Sequence, residues 1–381
     1  MDRKKYVKKI NRVVIKIGSS SITGKKGGLD SSKMEKFCAE TAALVKKGVE
    51  VIIVTSGAIS AGLEYLGMPS RPREISVLQA AAAVGQVELM RQYGDIFASY
   101  GLKIGQILLT REDTARRNQY LNIKGTIENL LVLNVIPVIN ENDSVAVEEI
   151  KFGDNDRLGA LVSSLTGADL LIILSDIDGL YESDPREDPN AVLISFVNGI
   201  TPHIESLAGG IGSAYSSGGM MSKLKAARIC AFSGIPMVIA NSSIKDVTEK
   251  IVNFETIGTF FAPQTKRKVK SLKRWIAFGI QEKGSIYLDE GAEEAVGSKG
   301  KSILPVGVIK TEGSFSRGDT LKVFSHSGKL IAKGLTNFSD EEVLKVMGKN
   351  KNQILKVYGR DMCCEVIHRD SMVVFDENDY E

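Results

Sequence analysis

Short apolar runs alternate with helically spaced stretches through the first two-thirds of the chain. Residues 13–17 read as a buried strand that ends at Gly18. Ser32-Lys33-Met34-Glu35 has the form of a capping box and predicts a helix that stops near Gly48. Residues 49–54 form the next strand and run into Thr55-Ser56-Gly57, a tight strand-to-helix turn. Further strand patterns lie at 104–109, 135–139, 170–174 and 237–240, with helical spacing between most of them. Repeated βα units imply an α/β fold with a mostly parallel sheet and helices on both faces. In such sheets ligands bind at the C-terminal ends of the strands. That rule singles out the loops 18–28, 55–60, 140–156, 175–178 and 211–223.

After about residue 262 the pattern changes. Residues 265–270, Thr-Lys-Arg-Lys-Val-Lys, read as a charged, exposed connector. Beyond them, short alternating runs with glycine punctuation at 284–288, 304–308 and 318–323 predict a small mixed β-barrel. The expected organisation is a first domain over 1–262, a linker over 263–274 and a second domain over 275–381. There are no internal repeats.

Composition fits this division. A chain of 381 residues is long for one domain and ordinary for two. A net charge of +3 argues against a general nucleic-acid or membrane binder. The four cysteines, Cys38, Cys230, Cys363 and Cys364, form no C-x-x-C pair and read as free thiols of a reducing compartment. His203, His326 and His368 are too widely spaced for a zinc cluster. The apolar run 13–15 is too short for a signal-peptide core, and no run approaches the roughly 18 residues of a membrane span. The expected location is the cytoplasm.

Five loops could carry chemistry. In Lys16-Ile17-Gly18-Ser19-Ser20 a lysine ends a strand before a Gly/Ser loop, an arrangement that can offer one cation and backbone N–H groups to phosphates; the alternative is a surface turn. This is not a Walker loop, because five residues separate Gly18 from Gly24 and Lys26 follows Lys25. Ser217-Gly218-Gly219-Met220-Met221-Ser222-Lys223 enters a helix and could form an anion site at its start, or be a loop with a solvated lysine. The acidic loop Asn140-Glu141-Asn142-Asp143, continued by Gly153-Asp154-Asn155-Asp156, suits a polar or cationic ligand, or simple turns and caps. Exposed N–H groups at Thr55-Ser56-Gly57-Ala58 could hold a carboxylate. Ser175-Asp176-Ile177-Asp178 could meet a ribose or adenine edge, or cap a turn.

No Ser-His-Asp or Cys-His pair fits this layout, so the reaction should need no histidine base. Phosphoryl transfer to a carboxylate has that property. A glutamate side chain, with a pKa of about 4.3, is already ionised at neutral pH. The obstacle is repulsion between two anions, which two lysines and a magnesium ion relieve by positioning and neutralisation.

Taken together, Lys16-Ile17-Gly18-Ser19-Ser20, Val54-Thr55-Ser56-Gly57-Ala58-Ile59, Pro137 through Asp143, Gly153-Asp154-Asn155-Asp156, Asp178-Gly179-Leu180-Tyr181, Asp184-Pro185-Arg186 and Gly218 through Lys223 resemble the glutamate 5-kinases of the amino-acid kinase superfamily. From about Trp275 the chain resembles a PUA domain, through Lys273-Arg274-Trp275, Asp289-Glu290-Gly291-Ala292, Ser302-Ile303-Leu304-Pro305, Phe315-Ser316-Arg317-Gly318 and His368-Arg369-Asp370. The resemblance implies a three-layer αβα sandwich, the amino-acid kinase fold, followed by a small mixed PUA barrel. It implies transfer of phosphate from ATP to the L-glutamate side chain, the first step of proline biosynthesis.

Carried over by position, Lys16 and Lys223 would stabilise the transferring phosphoryl group. Asp156 would orient those lysines or support the magnesium–phosphate complex. Ser56, Asp143 and Asn155 would hold glutamate, with Asp143 facing its α-ammonium. Ser175, Asp176 and the loop Ser217, Gly218, Gly219, Met220, Met221, Ser222 and Lys223 would contact the nucleotide, together with Lys16. Magnesium would be held by phosphates and water, with no assigned protein ligand. Ser175 and Ser217 stand where the family often has threonine, and Met221 where a hydroxyl residue is common. The resemblance further implies feedback inhibition by proline and a homo-oligomer; the product is a labile acyl phosphate, which suits hand-over to a reductase.

Two rival readings remain. N-acetylglutamate, or another carboxylate, would need no partner for a free ammonium, so Asp143 favours glutamate. RNA binding through the second domain is disfavoured because residues 271–381 hold 16 Lys/Arg against 17 Asp/Glu, a formal −1.

Overall fold

A computed structural model describes residues 3–24, 27–146, 155–208, 219–264, 271–280, 282–350, 352–354 and 365–375. The chain divides into two compact units, Met1–Lys268 and Val269–Glu381. The break falls inside the 263–274 stretch read as a linker. Ser271–Arg274 is helical and belongs to the second unit, and Arg274 and Trp275 are buried.

The first unit is built on an eight-stranded sheet. Its strands are β1 Arg12–Ile17, β2 Glu50–Val54, β3 Lys103–Leu109, β4 Val135–Glu141, β5 Leu170–Ser175, β6 Phe196–Val197, β7 Met237–Asn241 and β8 Thr259–Phe261, in the order β3-β4-β2-β1-β5-β7-β8-β6. All neighbours run parallel except β7 and β8. The apolar runs form strands because a central parallel strand is covered on both faces, so alternation disappears. Val13, Val14 and Ile15 are each 0% exposed. The sequence reading missed β6 and β8, which at two and three residues are too short to show a period.

The helices of this unit are α1 Ser31–Lys46, α2 Ala58–Tyr65, α3 Ile75–Ser99, α4 Arg111–Ala115, α5 Arg117–Val132, α6 Asn155–Thr166, α7 Pro202–Ser206, α8 Met220–Ser233 and α9 Val247–Val252. One face of β1, through Val13, Ile15 and Ile17, shares a core with Met34 and Phe37 of α1, Leu89 and Tyr93 of α3 and Val247 of α9. The other face meets α6, where a Cβ added at Gly159 would lie 3.3 Å from Lys16 Cβ. The strand parity that buries Val13 and Ile15 on one side therefore sends Lys16 to the other.

Two details fix the site loops. The cap of α1 is Asp30, whose side chain accepts from the Lys33 N–H at 3.1 Å, not the Ser32 box expected from the sequence. The helix begins at Ser31, so Ser32 is already inside its first turn. Helices α2 and α3 cross in backbone contact. A Cβ at Gly62 would sit 1.8 Å from the Ala81 carbonyl oxygen, and one at Gly85 would sit 1.9 Å from that of Ala58. Only glycines allow that approach, and it ties α3 to the loop that opens α2.

The second unit is a five-stranded mixed sheet of β9 Gly284–Leu288, β10 Val308–Gly313, β11 Thr320–Phe324, β12 Leu330–Thr336 and β13 Ile367–Val374, ordered β10-β9-β11-β12-β13. Its one parallel pair is β9 with β11. A single antiparallel bridge between Ile303 and Ile367 joins the β13 edge to the segment leading into β10. Its core contains Ile286, Leu288, Leu321, Val323, Phe338 and Ile367. Lys333 is buried there, 2.9 Å from Glu282 and donating to the Ile280 carbonyl at 2.6 Å.

Candidate active site

The C-terminal ends of β1, β2, β4 and β5 lie side by side through the registers Ile17–Leu174, Lys16–Val54 and Val54–Ile139. Four of the five loops expected to carry chemistry follow these strand ends; the fifth, 217–223, leads into α8 at Met220.

At its centre is a buried charge cluster. Lys16 Nζ lies 2.7 Å from Asp156 Oδ1, and Lys223 Nζ lies 3.1 Å from Asp156 Oδ2. The side chains are 8%, 4% and 1% exposed for Lys16, Lys223 and Asp156. The surface-lysine alternatives are thereby excluded for both positions. Lys16 is delivered by the end of β1, Asp156 by the first turn of α6 and Lys223 by the first turn of α8, so three separate elements converge. The Ser222 hydroxyl also reaches Asp156 Oδ2, at 3.3 Å. Burial works to raise the Asp156 pKa. The attraction of Lys16 and Lys223, with their hydrogen bonds, outweighs it and holds the carboxyl below its usual value. Two cations share one carboxylate, an arrangement suited to receive an anion.

Beside it lies an amide network. Asn155 Nδ2 donates to the Thr55 carbonyl at 2.7 Å, to Ser56 Oγ at 2.8 Å and to Asn140 Oδ1 at 3.1 Å. Ser56 is held in a turn that Gly57 completes with φ 98°, a left-handed conformation that favours glycine. Asn140 donates in turn to Gln86 Oε1 at 2.8 Å. Asp143 sits in the turn that follows β4, where the Asn142 carbonyl accepts from the N–H groups of Val145 and Ala146.

On the other side of β1, the Ser175 hydroxyl donates to Asp176 Oδ1 at 3.1 Å. The loop after β5 is tied to the end of β7 by Asn241 Nδ2, which donates to Asp178 Oδ1 at 2.8 Å. Gly219 caps α8 in extended conformation, and Met220 and Met221 form the first turn, where the first N–H groups have no intrahelical acceptor. Ser217 and Gly218 lie outside the described residues, as do Gly153 and Asp154.

The structure thus joins Lys16, Asp156, Ser222 and Lys223 in one cluster and Ser56 with Asn155 in another. Asn140 was singled out only as part of the acidic loop, with no role of its own, and Gln86 not at all. Asn140 could have been found from its place at the end of a strand inside the Pro137–Asp143 motif. Gln86 could not, since it is one polar position on a long helix. Among the described residues, no group of three or more His, Cys, Asp or Glu could hold a metal ion. No helix among them is long and apolar enough to cross a membrane.

Comparison with known proteins matches both parts of the chain. Residues 11–241 match the amino acid kinase family and residues 284–358 match the PUA domain. A glutamate 5-kinase of Geobacter sp. strain M21 is 45% identical over 98% of this chain and 100% of its own length. A glutamate 5-kinase of Caldanaerobacter subterraneus subsp. tengcongensis is 48% identical over 97% of this chain and 99% of its own. A solved UMP kinase from Bacillus anthracis covers 69% of this chain at 15% identity with a TM-score of 0.46, too distant to bear on the chemistry. With the two-unit architecture and a full-length match at this identity, the chain belongs to the amino acid kinase family, among the glutamate 5-kinases that carry a C-terminal PUA domain.

Proposed function

We propose that this chain transfers the γ-phosphoryl group of ATP to the side-chain carboxylate of L-glutamate, giving ADP and γ-glutamyl phosphate, the first step of proline biosynthesis. The observation that carries the reading is the buried Lys16–Asp156–Lys223 cluster at the C-terminal edge of the sheet. A glutamate carboxylate oxygen attacks the γ-phosphorus, and the bond from that phosphorus to the β–γ bridging oxygen breaks. No proton has to be removed from the nucleophile, which accords with the lack of a histidine in the cluster. Lys16 and Lys223 neutralise the non-bridging oxygens as charge spreads over them. Asp156 acts by holding both ammonium groups where the phosphoryl group passes.

Ser56, Asn155 and Asp143 hold glutamate, with Asp143 supplying the carboxylate that pairs with its α-ammonium. Ser175, Asp176 and the loop 217–223 hold the nucleotide. Magnesium fits as an ion carried on the phosphates and water. Both oxygens of Asp156, the carboxylate within the buried cluster, lie within ion-pair distance of lysines. When bound, the ion would neutralise phosphate charge. Self-association and feedback inhibition by proline are supported by the family resemblance alone, and hand-over to a reductase by the lability of the acyl phosphate.

The test is ADP release with magnesium-ATP in the presence of hydroxylamine, comparing L-glutamate with N-acetyl-L-glutamate. Hydroxamate formed from free glutamate only is the expected result. Turnover of the acetylated substrate would overturn the substrate while keeping the phosphoryl chemistry.

A further inference from the structure

The amide network beside the charge cluster has a direction, and backbone groups fix it. The Glu141 N–H donates to Asn140 Oδ1 at 2.9 Å, so this atom is an oxygen and Asn140 Nδ2 points the other way, to Gln86. The Thr55 carbonyl can only accept, so the atom 2.7 Å from it on Asn155 is Nδ2. Neither amide can be reversed without facing two like groups. Gln86 must then present Oε1 to Asn140. Its own Nε2 is buried and has no partner among the described residues.

The consequence appears at the far end. Asn155 Nδ2 is committed to three acceptors, and among the described residues its Oδ1 receives no hydrogen bond. Ser56 Oγ accepts from Asn155, which leaves its hydroxyl proton available to donate. The Ser56–Asn155 pair is therefore set in advance with one acceptor, suited to an ammonium, and one donor, suited to a carboxylate. Gln86 is the end that holds this setting. Its position is rigid, because the neighbouring Gly85 lies in the backbone crossing of α3 on α2, next to the Ser56 loop. The buried Nε2 donor without a partner among the described residues is a cost that this setting carries.

We propose that Gln86 is a positioning residue for substrate recognition: by accepting from Asn140 it locks Asn155 with its carbonyl oxygen, and Ser56 with its hydroxyl proton, available to an α-amino carboxylic acid. This rests on the glutamate reading above and extends it to specificity. With Gln86 replaced by an apolar side chain, Asn140 loses its acceptor, the amide relay loosens, and discrimination for the ammonium group falls.

The experiment compares L-glutamate with glutarate, which has the same two carboxylates and no ammonium, in the hydroxamate assay for wild type, Gln86→Met and Gln86→Glu. Gln86→Met should raise the glutamate KM about ten-fold and lower the glutamate-to-glutarate ratio of kcat/KM by a similar factor, as expected for loss of one buried hydrogen bond. The KM for ATP should not move. Gln86→Glu keeps an oxygen for Asn140 in either protonation state and should retain the wild-type ratio. An unchanged ratio in Gln86→Met, or an equal loss in Gln86→Glu, would overturn the inference while leaving the kinase reading intact. A wild-type protein that makes no hydroxamate from glutamate would overturn the kinase reading and this inference with it.

Discussion

Replacing Asp156 by asparagine removes one charge from a site where two ammonium groups are buried within 2.7 and 3.1 Å of it. At an effective dielectric of about 20, Coulomb's law gives gross attractions of roughly 6 and 5 kcal/mol for these distances. Most of that is offset by the cost of desolvating the charges. What remains visible when a buried pair is broken by removing one partner is about 3–5 kcal/mol. Asp156→Asn should therefore lower unfolding stability by about that amount in the absence of ligand. An anionic nucleotide meets more positive charge in the variant, so its KM should hold or fall. The lysines lose their common anchor, and kcat should drop by about two to three orders of magnitude, the range seen when a positioned electrostatic group is removed.

The pH dependence gives a second readout. The folded-state pKa of Asp156 lies below its unfolded value. Its contribution is thus fully present above the unfolded value of about 3.9 and is lost as pH falls through the folded value. The stability gap between wild type and Asp156→Asn should narrow only below about pH 4. Thermal melts across pH, paired with hydroxamate rates, measure both effects. A variant with kcat within a few-fold of wild type and an unchanged melting curve would refute the reasoning.

Further expectations follow from the same geometry. Asp143→Ala should raise the glutamate KM by roughly ten- to a hundred-fold with kcat little changed, as for a charge-assisted hydrogen bond made in ground and transition states alike; steady-state kinetics that leave KM unmoved would remove Asp143 from the site. Gly159→Ala places a methyl group 3.3 Å from Lys16 Cβ and 3.5 Å from its Cγ, and should lower kcat several-fold while the protein stays folded. Gly125→Ala is its control: no atom lies within 4 Å of the added Cβ, so helix propensity should raise stability by about 0.5–1 kcal/mol without touching the rate. A fragment ending at Lys268 retains the whole cluster and its own core, and should keep part of the kinase activity; a folded fragment with none would assign the second unit a part in the reaction.

Much of this was legible in the sequence, for identifiable reasons. Strands covered on both faces, such as Arg12–Ile17 and Leu170–Ser175, show as apolar runs with little polar alternation, so the central sheet was readable. Lys16 stood out because it ends a strand just before a Gly/Ser loop. Its burial did not stand out, because burial depends on Asp156 arriving from the start of α6, far along the chain. The cap of α1 was misplaced by two residues, since Asp30 and Ser32 both precede apolar positions and only the chain's entry angle chooses between them. The short strands Phe196–Val197 and Thr259–Phe261 were invisible because they owe their place to neighbouring strands and not to a local pattern. The relay through Asn140 and Gln86 joins residues 54 positions apart by one hydrogen bond, and nothing local marks it.

The central claim is that a glutamate carboxylate oxygen, and not water, attacks the γ-phosphorus. It is tested most directly with L-glutamate labelled with oxygen-18 in both side-chain carboxylate oxygens, turned over with magnesium-ATP and hydroxylamine. Attack by the carboxylate leaves a labelled oxygen bridging carbon and phosphorus. Hydroxylamine then displaces phosphate at the carbonyl carbon, so each released phosphate should carry one labelled oxygen. Unlabelled phosphate, with ADP still formed, would mean that water is the acceptor and would contradict the account.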